Sequence, residues 1–160
     1  FIMYRGFRGI PEEILDAARI DGAGDWQIFW RIGMPLGMAG IVSAELLSFI
    51  VGNLIIKNMV DRLRPCQIDE TVSLIVKIPF DSSFPSGHTL NGITAAVTLM
   101  FIDKRMGIPA IVLAVLIAFS RMYNFMHFPT DVLAGAVLGV VSAVFVNFLF
   151  KRAGKSEMTK

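Results

Sequence analysis

Four long apolar segments constrain the fold of this 160-residue chain more than any other feature. A helix needs about 20 mostly apolar residues to cross the hydrocarbon core of a bilayer. The segments are rich in Val, Ile, Leu, Ala and Phe, and they cover residues 37–57, 86–102, 107–126 and 131–150. The second reaches spanning length only if residues 85–88 are included. We therefore predict an all-α fold, a polytopic transmembrane helical bundle of about four spans.

Composition supports a membrane protein and excludes several other classes. Hydrophobic residues make up 54% of the chain, and the mean hydropathy is +0.63, well above a soluble domain. The net charge of +2 is scattered between apolar blocks, unlike the basic patch of a nucleic-acid-binding protein. Cys66 is the single cysteine, so no internal disulfide or cysteine-based metal site is expected, and we interpret it as an ordinary loop residue. The chain starts at Phe1 without a signal-peptide pattern, so we interpret it as a fragment or an incomplete reading frame.

Basic residues in the short flanks predict the orientation of the bundle. The connection between the second and third segments carries Lys104 and Arg105, and the tail carries Lys151, Arg152, Lys155 and Lys160. Both regions are therefore expected in the cytoplasm, which leaves residues 58–84 and 122–130 on the outer face. We predict an integral protein of a bacterial inner membrane with a cytoplasmic C-terminus.

Three polar clusters lie at the ends of the apolar segments on that outer face. They are Lys57 with Arg64-Pro65, then Pro85-Ser86-Gly87-His88, and then Ser120-Arg121 with His127 and Asp131. Alone, a Lys or Arg at the end of a span is usually an anchor in the membrane interface. The charge argument did not use these clusters, yet it puts all three on one face, so we expect them to form one pocket.

The residue types in the clusters suit the transfer of a phosphoryl group. Lys57, Arg64 and Arg121 can neutralise the phosphate oxygens. The turn at Ser86 and Gly87 starts a helix, whose N-terminal N–H groups and dipole favour an anion. Gly87 has no side chain that would block close approach.

The two histidines can divide the remaining work. A neutral imidazole can attack phosphorus, and a protonated one can give its proton to the departing alkoxide. Asp131 follows His127 by four residues, with a turn at Pro129 between them, and can accept a hydrogen bond from one ring nitrogen and so set the tautomer. We therefore predict His127 as the nucleophile and His88 as the general acid.

The pattern Lys-x6-Arg-Pro, Pro-Ser-Gly-His and Ser-Arg-x5-His-x3-Asp resembles the signature of the type 2 phosphatidic acid phosphatase superfamily. Every signature position is filled, and the resemblance covers about residues 37–150. It implies that His127 is the nucleophile, with Asp131 as its partner and His88 as the acid. It also implies a phosphate site made by Lys57, Arg64, Ser86, Gly87 and Arg121.

The same resemblance implies the activity of a lipid phosphate phosphatase. Such an enzyme would need neither a metal nor a cofactor and would form a phospho-histidine intermediate. The substrate would be a lipid phosphomonoester or pyrophosphate, of the phosphatidic acid, phosphatidylglycerophosphate or undecaprenyl pyrophosphate type. A vanadium haloperoxidase, which shares the signature, is disfavoured because those enzymes are larger and soluble.

Residues 1–36 differ in character and mix acidic with basic side chains. Pro11 is placed to open a helix, Gly22 and Gly24 to break it, and Asp25 to cap a second short helix. The run Asp16-Ala17-Ala18, followed by Gly22, Ile32 and Met34-Pro35, resembles the cytoplasmic coupling loop of ABC-importer permeases, which docks on an ATPase subunit. We therefore divide the chain into a permease-like segment at 1–36, a membrane phosphatase domain at 37–150 and a basic tail at 151–160.

Membrane phosphatases of this family usually have about six spans. The expected first two are missing in this interpretation, and the permease-like segment stands in their place. The simplest interpretation is a chimeric or misassembled reading frame joined between Arg31 and Gly40. The alternative function is then an inactive product whose coupling helix binds an ABC ATPase. A homo-oligomer is a further expected way to cover the helix faces that the missing spans leave open.

Overall fold

The computed structural model of the protein describes residues 12–69, 79 and 81–157. Within these ranges the chain is helical and contains no strand, so the all-α prediction is confirmed. The helices are α1 (Glu12–Ile20), α2 (Asp25–Met59), α3 (Pro65–Ile68), α4 (Gly87–Ile102), α5 (Lys104–Tyr123) and α6 (Pro129–Glu157).

The long helices have the length and composition of membrane spans. The stretches Asp25–Met59, Lys104–Tyr123 and Pro129–Arg152 are long and apolar enough to cross a bilayer. Helix α4 is apolar too but has 16 residues, so it is about 24 Å long, a little less than the hydrocarbon core. This matches the short second segment of the sequence. Helices α2, α5 and α6 all pack against α4, which is the central helix of the bundle.

Helix α2 differs from the prediction of a short helix followed by a separate span. Its N-cap is Gly24, and Asp25 is already the first helical residue. Pro35 does not end the helix because a π-helical stretch, Phe29–Gly33, precedes it, in which the Met34 N–H bonds the carbonyl of Phe29. The 35 residues of α2 extend about 52 Å, so one end projects beyond the hydrocarbon core.

The N-terminal segment packs on this projecting end of α2. Gly22, at φ +81°, ends α1 as the sequence predicted, and it allows the chain to turn back. Leu15 of α1 and Ile28 of α2 are buried against each other. The expected helix opening at Pro11 lies outside the described residues. The boundary predicted at residue 36 falls inside continuous helix α2, and the division into domains stays a prediction.

Two glycines of α6 allow its close approach to α4. A Cβ atom on Gly135 would lie 2.7 Å from the carbonyl oxygen of Ser86, and one on Gly139 would lie 2.8 Å from the carbonyl oxygen of Leu90. Any larger residue would force the helices apart. This contact sets the start of α4, where Ser86 lies, directly against the start of α6, where Asp131 lies.

Candidate active site

The three polar clusters converge at one end of the bundle, where α2 and α5 end and α4 and α6 begin. The N–H of Ser83 donates to the carbonyl of Arg62 at 2.8 Å, which joins the segment after α2 to the turn before α4. The N–H of Ser86 donates to the carbonyl of Asp131 at 3.0 Å, which joins that turn to α6. The expectation that the clusters assemble into one pocket therefore agrees with the geometry.

Cys66 also helps to join the segments around this site. It is buried in α3, and its N–H donates to the carbonyl of Phe125 at 3.1 Å, in the turn between α5 and α6. It is therefore a packed residue of a short helix, which differs from the open loop position that we expected. Pro65 starts this helix, since the first helical position needs no N–H donor.

His127 is held by both of its ring nitrogens. The side chain is buried, and Nδ1 lies 2.8 Å from the carbonyl oxygen of Ser83. A carbonyl only accepts, so Nδ1 carries the proton and donates it. Nε2 is then the nitrogen that carries the ring lone pair, and it lies 3.2 Å from Nη1 of Arg64, which donates to it.

The surroundings of His127 keep the imidazole neutral. Burial and the positive charge of Arg64 lower the pKa of His127 to about 4, and they outweigh the opposing effects of the Ser83 carbonyl and the Asp131 carboxylate. At neutral pH the ring is therefore unprotonated at Nε2, which is the form that a nucleophile requires.

Asp131 lies next to His127 but makes no hydrogen bond to it. The carboxylate is fully buried, and its Oδ2 is 3.9 Å from Nδ1 of His127, beyond hydrogen-bond distance. That oxygen accepts from Ser83 Oγ at 2.5 Å and from the N–H of Phe128 at 2.9 Å. The other oxygen, Oδ1, accepts from Arg62 at 2.7 Å. The predicted bond between the two residues is thus not made here, because nearer donors occupy the carboxylate and Ser83 occupies Nδ1.

Two of the predicted phosphate-binding cations share a carboxylate that the sequence analysis did not assign. Arg64 is buried, and its Nη2 donates to Oδ1 of Asp81 at 2.7 Å. Lys57, at the end of α2, forms an ion pair with Oδ2 of the same carboxylate. Partial burial alone would raise the pKa of Asp81, but the hydrogen bonds from Lys57 and Arg64 outweigh it and lower the pKa.

Ser86 and Gly87 form the start of α4 as predicted, with one difference. Ser86 is the N-cap residue and is fully buried, but its N–H is already bonded to Asp131 and its Oγ lies 3.0 Å from Oγ1 of Thr89. The donors left for an anion are therefore the N–H groups of Gly87, His88 and Thr89 in the first turn. A Cβ atom on Gly87 would lie 2.9 Å from Oδ1 of Asn53, so any larger residue here would require the Asn53 side chain to shift.

Arg121 and His88 border the same space without a bond to the other site residues. Arg121 lies in the last turn of α5, and among the described residues its Nε is buried with no hydrogen-bond partner. His88 is exposed on the first turn of α4. It lies close enough to Arg121, Lys57 and Arg64 to interact electrostatically with their positive charges. A buried donor without a partner, close to a group of cations, is suited to bind an anion.

Sequence reasoning missed three residues of the site: Arg62, Asp81 and Ser83. Arg62 binds Asp131, and its guanidinium also lies 4.1 Å from the ring centroid of Phe128. One signal was available for Arg62. It precedes Arg64 by two residues in a non-helical segment, and alternate residues of an extended chain face the same side.

Comparison with known proteins confirms both resemblances. Residues 37–155 match the PAP2 superfamily. Residues 1–61 match the binding-protein-dependent transport system inner membrane component. The two matches overlap in the first apolar segment.

Relatives of the larger part include two curated proteins and a solved structure. The undecaprenyl-diphosphatase of Sulfolobus acidocaldarius is 38% identical over 110 residues, which are 68% of this chain and 50% of that protein. The bacitracin transport permease protein BcrC of Bacillus licheniformis is 33% identical over 116 residues, 72% of this chain and 55% of that protein. The chain thus spans about half the length of the curated relatives it matches.

The similar solved structure is a transmembrane PAP2 type phosphatidylglycerolphosphate phosphatase from Bacillus subtilis. Its TM-score is 0.54 at 28% identity, and the alignment covers 99% of this chain and 77% of that one. The bundle, the site at one end of it and the match over residues 37–155 agree with one another. The chain belongs to the PAP2 superfamily.

Proposed function

We propose that the chain is a metal-independent membrane phosphatase that hydrolyses a lipid phosphomonoester or pyrophosphate through a phospho-histidine intermediate. The observation that carries the proposal is the state of His127. It is buried and neutral, its Nδ1–H is fixed on the carbonyl of Ser83, and its free Nε2 faces the guanidinium of Arg64. A nucleophilic nitrogen beside a buried cation is suited to attack on a phosphate.

In the proposed reaction, Lys57, Arg64 and Arg121 bind the phosphate oxygens, together with N–H groups at the start of α4. When phosphate binds, one of its oxygens takes the N–H of Arg64 Nη1 in place of Nε2 of His127, which frees the lone pair for attack. A bond forms between Nε2 and phosphorus while the bond from phosphorus to the leaving oxygen breaks. His88 gives its proton to that oxygen.

The second half of the reaction reverses the roles. Water attacks the phosphorus of phospho-histidine, His88 takes its proton, and the N–P bond breaks to release inorganic phosphate and neutral His127. The ring carries a positive charge while it is phosphorylated. The buried carboxylate of Asp131, 3.9 Å from Nδ1, is placed to stabilise that charge.

The substrate class follows from the membrane setting and from the relatives. The relatives are named for undecaprenyl diphosphate and phosphatidylglycerophosphate, and we propose a substrate of these types or a phosphatidic acid. We also propose that the site opens on the outer face of a bacterial inner membrane, with the C-terminus in the cytoplasm, because Lys104, Arg105 and Lys151 lie at the opposite end of the bundle.

The test is phosphate release from these lipids by the full chain in detergent. We expect His127→Ala to lower kcat on the order of 10³-fold or more. The control is Lys104→Ala, an exposed side chain at the other end of the bundle. With labelled substrate, a phosphorylated protein should be trapped in the wild type and not in His127→Ala. Activity that survives in His127→Ala, or that EDTA abolishes, would refute this mechanism.

The match of residues 1–61 supports a second candidate, a permease-like segment that binds an ABC ATPase. Helix α1 exposes Ile20 to 86%, on the end of α2 opposite the site. If this segment is functional, a co-expressed ABC-importer ATPase subunit should co-purify with the chain, and Ile20→Asp should abolish this without changing phosphate release. Absence of the subunit from the purified protein would reject the candidate.

The origin of the N-terminal segment has its own test. We propose that the reading frame is chimeric or misassembled, with the junction between Arg31 and Gly40. Single long sequencing reads across codons 25–45, taken from independent isolates, should then fail to span the junction. Continuous reads in every isolate would establish a natural fusion.

A further inference from the structure

The two cations that the proposed function assigns to phosphate already hold an anion of the protein itself. Oδ1 of Asp81 accepts from Nη2 of Arg64 at 2.7 Å, and Oδ2 pairs with Nζ of Lys57. The two oxygens of one carboxylate thus bridge two cations, which is the arrangement that two oxygens of a phosphate would adopt.

One guanidinium links this carboxylate to the nucleophile. The Nη2 atom of Arg64 binds Asp81, while its Nη1 lies 3.2 Å from Nε2 of His127. A phosphate that binds both Lys57 and Nη2 of Arg64 therefore takes the position of the Asp81 carboxylate. Asp81 is ionised at neutral pH, because both cations lower its pKa.

The partners differ in how freely they can move. The side chain of Arg64 is 3% exposed and that of Lys57 is 11% exposed, whereas that of Asp81 is 50% exposed. Arg64 is further fixed by a bond to the carbonyl of Met126 at 3.0 Å. The cations are therefore part of the packed site, and the carboxylate is the group that can turn out into water.

We propose that Asp81 is a displaceable internal anion, which occupies the phosphate position of the substrate-free site and determines how tightly that site binds a phosphate group. The proposal rests on the proposed function for the roles of Lys57 and Arg64. A carboxylate carries one charge and two oxygens, while a phosphate group carries up to two charges and three oxygens. A phosphate can therefore displace Asp81, whereas a monovalent anion gains little by doing so. Asp81 would thus make the site selective for phosphates.

The experiment measures binding of inorganic phosphate to the purified full chain in detergent by titration calorimetry. We expect Asp81→Asn to bind phosphate about tenfold more tightly than the wild type, because it removes the competing charge and keeps the shape of the side chain. Asp81→Glu keeps the charge, so its affinity should stay close to that of the wild type. The matched control is Asp61→Asn, which removes the same charge from an exposed position of the same connection and should change the affinity less than twofold.

A second arm uses the lipid as the source of the phosphate group. The KM for a short-chain phosphatidic acid should fall in Asp81→Asn along with the dissociation constant of inorganic phosphate. If only the lipid KM changes, Asp81 contacts some other part of the lipid, and the proposal is wrong. Weaker or unchanged phosphate binding in Asp81→Asn would also overturn it, since a carboxylate that merely positions Lys57 and Arg64 gives that result.

A third measurement needs no variant. In a crystal structure of the wild type with inorganic phosphate, the carboxylate of Asp81 should have left both cations, and a phosphate that binds beside an unmoved Asp81 would refute displacement. These outcomes are separate from the test of the proposed function, which depends on His127. Phosphate binding that tightens in Asp81→Asn would support displacement even if the chain hydrolyses no lipid.

Discussion

Arg62 offers the sharpest test of how the site controls its nucleophile. Its guanidinium bonds the buried carboxylate of Asp131 at 2.7 Å, and that carboxylate lies 3.9 Å from Nδ1 of His127. Arg62 and His127 therefore compete for the same negative charge. In the change Arg62→Gln, the carboxylate loses its counter-charge and acts more strongly on the imidazole. The pKa of His127 should rise.

The size of this effect follows from the geometry. An opposite charge within about 4–6 Å shifts a pKa by 1–3 units, and we expect the low end, about one unit, because the Arg62 side chain is 37% exposed and water screens it. From about 4 in the wild type, the pKa would then reach about 5. The neutral fraction of His127 would fall about fivefold at pH 4 and about twofold at pH 5, and it would stay complete at pH 7.

The assay is the pH profile of kcat/KM between pH 3.5 and 8 on a soluble short-chain lipid phosphate. The acidic limb reports the protonation of the free enzyme, and it should move to higher pH in Arg62→Gln with little change in the neutral plateau. Arg105→Gln, at the far end of the bundle and exposed, is the charge-matched control. An acidic limb that stays in place or moves to lower pH would refute the competition between Arg62 and His127.

Three further predictions follow from the same contacts. Ser83→Ala removes the hydroxyl that donates to Asp131 but keeps the carbonyl on His127, so kcat should fall about tenfold at unchanged KM; a change confined to KM would contradict this role. The folded protein holds His127 neutral down to about pH 4, while the unfolded chain binds a proton near its ordinary 6.5. Stability should therefore be constant above pH 6.5 and fall by about 3 kcal/mol as the pH drops to 4, and His127→Gln should flatten this dependence in thermal melts. Gly139→Ala should cost about 1–3 kcal/mol, since its Cβ would lie 2.8 Å from a main-chain oxygen of α4, whereas Gly40→Ala, with nothing within 4 Å, should leave the thermal midpoint equal or higher.

Local features of the sequence were enough for the fold class and for most of the site. The apolar segments have the length of spans, and Gly87 and Pro65 lie where a helix start tolerates them. The residue types and spacings of the three clusters carry the chemistry of phosphate binding, because order along the chain restricts which ends of the helices meet. The break at Gly22 follows from a single residue that can adopt a positive φ.

The errors of the sequence analysis share one cause. Helix α2 continues through Pro35 because hydrogen bonds of the π-helical kind precede it, and no residue pattern announces that choice. Asp25 was expected to cap a helix, but Gly24 has the extended backbone that the N-cap requires. Both outcomes concern where a helix begins, which local propensities define only to within one or two residues.

The sequence by itself determined that this is a membrane bundle with a histidine, a carboxylate and several cations suited to phosphate. Only the tertiary structure decided which donors bond which acceptors. Nδ1 of His127 donates to the carbonyl of Ser83 rather than to Asp131, while Arg62 binds Asp131. Asp81 binds the cations that we assign to phosphate. The physical reason is that these partners come from segments 17 to 69 residues apart. Their choice depends on how α4 and α6 pack, and each donor pairs with the nearest acceptor that this packing presents.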